Sequence, residues 1–307
     1  IIFNVGGGES IEKYCKIFEE SIIHSFESIK TKCDYMYNKS KQYFNVKTFM
    51  SLLKNFYFAF SKTVIKRLIN KFLFLLKYKR ISNTNVNLFS FFFKFWISEI
   101  EVKKNISLIL EKKKFYEEKY LFQDQDWFSH NIPVWEFILN KEINYQKKIK
   151  YLEIGSYEGR SAVHICEKFK NAQVTIVDKY IEYDEIKRYI KNQNLERVYE
   201  TLKENLINFK DRVEIYRISS KKFFHNNKKK FDLIYIDGSH KSNDVKEDFL
   251  NSVRILEDDG IIILDDFVWN HYENICDNPI GGILPVLEKN DDLKIISASN
   301  QLIIKKR

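Results

Sequence analysis

From residue 150 onward, short apolar runs alternate with stretches of helical spacing, and this alternation predicts the elements one after another. Strands are expected at 150–155, 173–178, 212–218, 231–237 and 260–265. Helices are expected at about 160–170, 185–210, 242–256 and 279–289, and a closing hairpin at 293–297 and 301–306. Strands alternating with helices call for an α/β fold built on a mostly parallel, doubly wound sheet. Ligands of such sheets sit outside the carboxyl ends of the strands, so chemistry is sought at those ends.

Upstream the pattern is helical. Residues 1–10 read as a short strand, a triple glycine and a helix start at Glu9 and Ser10. A flexible turn is preferred there to a phosphate-cradling loop. Helical spacing follows over Ile11–Lys32, Phe49–Tyr78 and Ile100–Tyr120, with a polar break at Ser82–Asn87. Gln123–Asn140 carries Trp127, His130 and Trp135 just ahead of the first sheet strand. The two tryptophans read as core or lid-packing residues, and His130 reads as a surface or capping histidine. The expected division is a basic, mainly helical region at 1–120 and a sheet domain at 121–307.

Charge sharpens that division. The formal net charge is +9, yet residues 1–120 hold 22 Lys+Arg against 11 Asp+Glu and the remainder is slightly acidic. Residues 41–80 contain ten basic residues and no acid, interleaved with Phe, Tyr, Leu and Ile. Such a face suits an anionic membrane surface or, less well, nucleic-acid phosphates; a solvated helix side with its apolar face packed is the commoner use. Four cysteines without paired spacing fit a reduced, cytoplasmic setting, peripheral to membrane if the basic face binds lipid. No leader opens the sequence, which begins with Ile and is expected to be cut short at its start.

The most informative stretch is Lys150–Val163, KYLEIGSYEGRSAV. A strand runs through Gly155 and Gly159 into a helix, letting backbone approach a ligand and offering helix N–H groups to an anion. The glycines are too far apart for the dinucleotide fingerprint. Acids then recur at strand ends: Glu153, Asp178, Asp237, Asp265 and Asp266. Asp178, closing the second strand, can take two ribose hydroxyls. Asp237, Asp265 and Asp266 make an all-oxygen set suited to Mg²⁺.

The order acid–X–Gly–X–X–X–Gly resembles the first motif of class I S-adenosylmethionine-dependent methyltransferases, whose Rossmann-like, seven-stranded sheet ends in an antiparallel hairpin. With Tyr157 and Ser161 it is most similar to the catechol-type O-methyltransferases. The resemblance implies cofactor contacts from Glu153, Gly155, Ser156, Tyr157, Gly159, Ser161, Asp178, Ser220 and Asp237, and a flap formed by the Trp-rich segment. FDLIYIDGSH (Phe231–His240) followed by GIIILDDF (Gly260–Phe267) resembles the metal-dependent branch, in which an ion on Asp237, Asp265 and Asp266 holds the acceptor hydroxyl. Asp-Asp in place of the catechol-type Asp-Asn leans toward enzymes acting on macrolide sugars, and it gives His240 and Asp237 the catalytic roles. The amino-methylating loop is absent after the fourth strand. The implied activity is metal-assisted O-methylation of a sugar, glycan or small molecule. The competing reading is a non-enzymatic nucleotide-ligand-binding domain tethered by basic helices to membrane or nucleic acid.

Overall fold

In the computed structural model, which describes residues 62–144, 148–181 and 194–307, the alternation becomes seven strands. These are β1 (Lys150–Ile154), β2 (Gln173–Val177), β3 (Val213–Tyr216), β4 (Phe231–Ile236), β5 (Leu256–Leu264), β6 (Leu293–Ala298) and β7 (Leu302–Lys306). They form one sheet of order β3-β2-β1-β4-β5-β7-β6. β1 to β5 pair in parallel, and β7 runs antiparallel between β5 and β6. This is the Rossmann-like, seven-stranded sheet with a terminal antiparallel hairpin that the resemblance implies. β1 and β4 read as near-continuous apolar runs because a parallel strand at the centre of a doubly wound sheet is covered on both faces; Leu152, Leu233 and Ile234 are wholly buried.

The expected helices at 1–61 and the segment 185–193 lie outside the described residues. Among those described, the helices are α1 (Lys62–Ser82), α2 (Leu88–Lys104), α3 (Ile106–Lys119), α4 (Ile132–Glu142), α5 (Arg160–Lys168), α6 (Leu195–Leu206), α7 (Ser220–Asn226), α8 (Ser242–Ile255) and α9 (Pro279–Leu287). The helix expected over 100–120 is two helices that meet at Asn105, whose N–H still bonds the Glu101 and Val102 carbonyls of α2 while its backbone, φ −115° and ψ 29°, leaves the helical region. A strong amphipathic pattern survives in α8, whose Val245, Asp248, Phe249 and Ser252 face inward.

The basic α1 is partly spent inside the protein. Arg67 and Lys71 pair with Glu99 of α2 at 2.7 and 3.1 Å, and Lys79 donates to the Val86 carbonyl at 2.9 Å. No described helix is long and apolar enough to cross a membrane.

Thr63–Arg307 cluster as one compact unit, and α2 and α3 pack directly on the sheet domain. Phe91 of α2 stacks on Phe267 just beyond β5, centroids 5.5 Å apart. Ser98 meets Ser297 of β6 at 3.1 Å within the core. From α3, the Tyr116 hydroxyl lies 2.8 Å from His164 Nδ1 of α5; burial holds that imidazole down to about 3, neutral at any ordinary pH. A cut at 120/121 would strip these contacts.

Two outcomes follow from this packing. Phe91→Ala is expected to destabilise by about 3 kcal/mol, the usual result of emptying a buried aromatic site, read as a shift in the chemical-denaturation midpoint. A fragment of residues 63–307 should melt cooperatively, whereas 121–307 should not; equal melting of the two would show that α1 to α3 are dispensable.

Candidate functional site

The strand ends meet at one edge through close backbone contact. Gly155 N donates to the Val177 carbonyl at 2.9 Å, and Asp237 N to the Ile154 carbonyl at 2.8 Å. Gly155 has φ +80°, and a Cβ there would lie 2.0 Å from the Asp237 carbonyl oxygen. Only glycine fits this crossing. Gly159, φ +83°, then turns the chain into α5.

Above this edge opens a cavity of about 760 Å³, within the roughly 300–1,000 Å³ typical of small-molecule sites. Gly155, Ser156, Tyr157, Ser161, Asp178 and Ser220 line it, as do Asp237, His240, Asp265 and Asp266. The structure therefore brings together nearly all the residues singled out in the sequence.

Two predicted residues differ in what they touch. Glu153 is fully buried beneath the turn, accepting from Tyr151 at 2.5 Å and Ser161 at 2.7 Å. Burial lifts its carboxyl to about 8, against the pull of those two donors. It braces the turn from below and does not line the cavity. A Cβ on Gly159 would lie 2.5 Å from the Leu202 side chain of α6, and Gly159 is likewise not part of the wall.

Asp178 does line the cavity, but its oxygens are already oriented by backbone. Oδ2 accepts from Ser156 N at 2.9 Å and Oδ1 from Tyr180 N at 2.9 Å. Each oxygen keeps lone pairs for an incoming hydroxyl.

At the other end the acids separate into two groups. Asp237, His240 and Asp266 offer one ligand atom each, all within 4.8 Å of one another. Asp266 adopts φ 51°, a left-handed turn that Asp tolerates, and its Oδ2 lies 2.6 Å from His240 Nε2. Asp265 is absent from that group. Its carboxylate is held from behind by the Tyr235 hydroxyl and by Gln301 Nε2 at 2.9 Å. Gln301 in turn accepts from Trp135 Nε1 at 2.7 Å. Burial and then mutual repulsion hold Asp237 well above the usual carboxylate range, and Asp265 is raised for the same reasons. Of the three carboxylates expected to share an ion, Asp237 and Asp266 belong to this group with His240, and Asp265 lies outside it.

The Trp-rich segment divides as well. Trp135 is fully buried, edge-on to Phe128 and Tyr235. Trp127 lies at the cavity wall, its ring 5.2 Å from that of Tyr157, and His130 also lines the cavity. The segment is latched to the glycine turn: Gln123 N and Asp124 N donate to Glu158, and the Tyr157 hydroxyl donates to Asp124 at 2.6 Å.

Sequence reasoning did not single out Tyr235, Gln301 or Trp269. Tyr235 could have been found, since it stands two residues before Asp237 on the same strand face. Gln301 could not, because the hairpin brings it in from far along the chain. Trp269, whose ring centroid is 4.6 Å from that of His240, follows the Asp pair in a segment of no regular period.

Residues 152–267 match a family model described as a methyltransferase domain. No curated protein matches the chain. Among solved structures it is similar to the O-methyltransferase from Bacillus cereus in complex with SAH, at 16% identity and TM-score 0.45, covering 66% of this chain and 91% of that one. It is similar also to the O-methyltransferase TomG from Streptomyces achromogenes in complex with SAM, at 11% identity and TM-score 0.46, covering 68% and 95%. A third similarity is to the MycE methyltransferase in complex with Mg, SAH and mycinamycin VI, at 12% identity and TM-score 0.44, covering 64% and 53%. The family match thus spans the glycine turn and both acid-bearing strand ends, and over residues 152–267 this chain is similar to a methyltransferase domain.

Proposed function

We propose that the chain moves the sulfonium methyl of S-adenosylmethionine to a hydroxyl of a small molecule or glycan, assisted by a divalent cation. The observation that carries this reading is the convergence of Asp237, His240 and Asp266 in the same cavity as the glycine turn and Asp178.

The cavity suits the cofactor. Its volume, the exposed turn backbone and the two oriented oxygens of Asp178 are what a nucleoside joined to an amino acid requires. Asp178 would hold the ribose hydroxyls; Gly155, Ser156 and Tyr157 would border the rest.

The donor set fits a divalent cation as well. Asp237 and Asp266 give hard oxygen ligands of the kind Mg²⁺ or Mn²⁺ takes, with His240 beside them. Bound there, the cation would supply positive charge that eases deprotonation of a nearby hydroxyl.

Methyl transfer is an in-line displacement, so the domain mainly aligns the partners and disposes of one proton. His240 is proposed to take that proton. In the tautomer that donates Nε2–H to Asp266, Nδ1 is the basic nitrogen, and the Asp266 carboxylate steadies the imidazolium that forms. The Tyr235 hydroxyl meets Asp237 at 2.9 Å, and Asp265 and Gln301 in turn contact that hydroxyl. The flap residues Trp127 and His130 border the mouth, where they would limit water. A second reading, favoured by the ligand-atom distances, makes His240 a cation ligand instead.

Three measurements test these roles. Calorimetry should give low-micromolar binding of S-adenosylhomocysteine, about −8 kcal/mol; Asp178→Ala should weaken it by roughly 1–3 kcal/mol. Heat with NAD and none with either sulfur nucleoside would reject the cofactor. Turnover, followed as the mass gain of one methyl on a panel of glycans and phenols, should vanish in chelator and return with Mg²⁺ or Mn²⁺. Persistence in chelator would reject the cation and favour acids that serve only the fold. Finally, His240→Ala should lower kcat by roughly 10²–10⁴-fold while cation affinity stays intact; a parallel loss of cation affinity would make it a ligand.

A further inference from the structure

We propose that Asp248 reads the base of the cofactor, accepting a hydrogen bond from the exocyclic amino group of adenine. The assignment rests on the S-adenosylmethionine reading above and extends it to a residue with no role there.

Sheet order fixes which end of the cavity receives the base. Asp266 and His240 mark the reacting end beyond β4 and β5, and Asp178 the ribose position beyond β2. The ribose links the sulfonium to the base, so the base must lie past Asp178, away from His240. There the cavity is walled by Ile218 and Ser220, which follow β3, and by Asp248 of α8. Asp248 reaches that wall from α8, where the Ser220 hydroxyl after β3 hydrogen-bonds it and the Lys179 charge after β2 acts on it.

Asp248 is anomalous for its helix. It shares the inward stripe of α8 with Val245 and Phe249 and is only 7% exposed. A carboxylate in an apolar stripe is destabilising unless donors meet it. The Ser220 hydroxyl hydrogen-bonds it, while Asp244 and Glu247 repel it and Lys179 partly offsets them. Burial lifts its carboxyl to about 6, so at neutral pH it is ionised and presents acceptors only. The amino group of adenine would supply a further donor from the cavity side. Hypoxanthine, identical in shape but with a carbonyl in that place, would set lone pairs against lone pairs.

The experiment compares S-adenosyl-L-homocysteine with its deaminated counterpart, S-inosyl-L-homocysteine, by calorimetry on the full chain. The wild type should favour the adenosyl compound by about 10²-fold, as sites built to hydrogen-bond one partner do. Asp248→Asn keeps the shape and can donate to a carbonyl, so it should bring that ratio down by about tenfold, partly by tighter inosyl binding. A wild-type ratio near one, or a ratio unchanged in Asp248→Asn, overturns the assignment while leaving the cofactor intact. Absence of binding by either nucleoside overturns the cofactor reading and the assignment with it. Should Asp248→Asn fail to fold, Asp248→Ser carries the same comparison, and the wild-type ratio still decides.

Discussion

The close passage of Gly155 against the Asp237 carbonyl governs the architecture of the site. β1 and β4 are neighbours, and both leave the sheet at the same edge. A side chain at 155 would collide with backbone, which cannot move without breaking the Asp237 N to Ile154 carbonyl bond. Because that bond holds, the turn after β1 and the turn after β4 share one rim. The first presents backbone toward the cavity, and the second presents Asp237 and His240. The proposed cofactor cradle and the candidate cation site are therefore neighbours by strand register, before any side chain adjusts them.

Crowding acids onto that rim has an electrostatic consequence. Tyr235 has one hydroxyl hydrogen yet touches both Asp237 Oδ2, at 2.9 Å, and Asp265 Oδ2. It cannot donate to both, so one acid faces an oxygen with no proton between unless it is itself protonated. Burial makes that worse, and both carboxyls are raised. Gln301 relieves Asp265 with an amide donor, and Trp135 fixes the orientation of that amide. Among the described residues, Asp237 is met by the Tyr235 hydroxyl and by no such amide. Of the two, Asp237 has more to gain from positive charge in the cavity, which fits its place in the ligand group and the exclusion of Asp265 from it.

Much of this was legible in the sequence, for identifiable reasons. Parallel strands covered on both faces leave continuous apolar runs, so β1, β2, β4 and the hairpin are found within a residue or two. Strand ends are where these runs stop, so Asp178, Asp237 and Asp265 could be placed without coordinates. What the pattern could not give was direction. Asp265 and Asp266 are adjacent, but the left-handed turn at Asp266 sends one carboxylate to His240 and leaves the other to Gln301. Glu153 reads as a strand-end acid yet stands one residue short of the end, and strand alternation turns it beneath the turn toward Ser161. The break at Asn105 was hidden because charged residues on either side keep a helical rhythm.

Asp248 shows how a sequence signal can be present and still pass unread. Its spacing from Val245, Phe249 and Ser252 puts an acid into the buried stripe of a helix that is otherwise ordinary. Periodicity arguments count apolar positions and treat a polar residue among them as noise. The free-energy argument runs the other way. A buried carboxylate is a fault in a core, but at a cavity wall it is an unfinished contact. The same logic separates His164 from His240: the first is enclosed by Tyr116 and ring edges and stays neutral, the second opens onto the cavity beside Asp266. Burial alone marks neither as functional; what distinguishes Asp248 and His240 is burial combined with a wall that a ligand can reach.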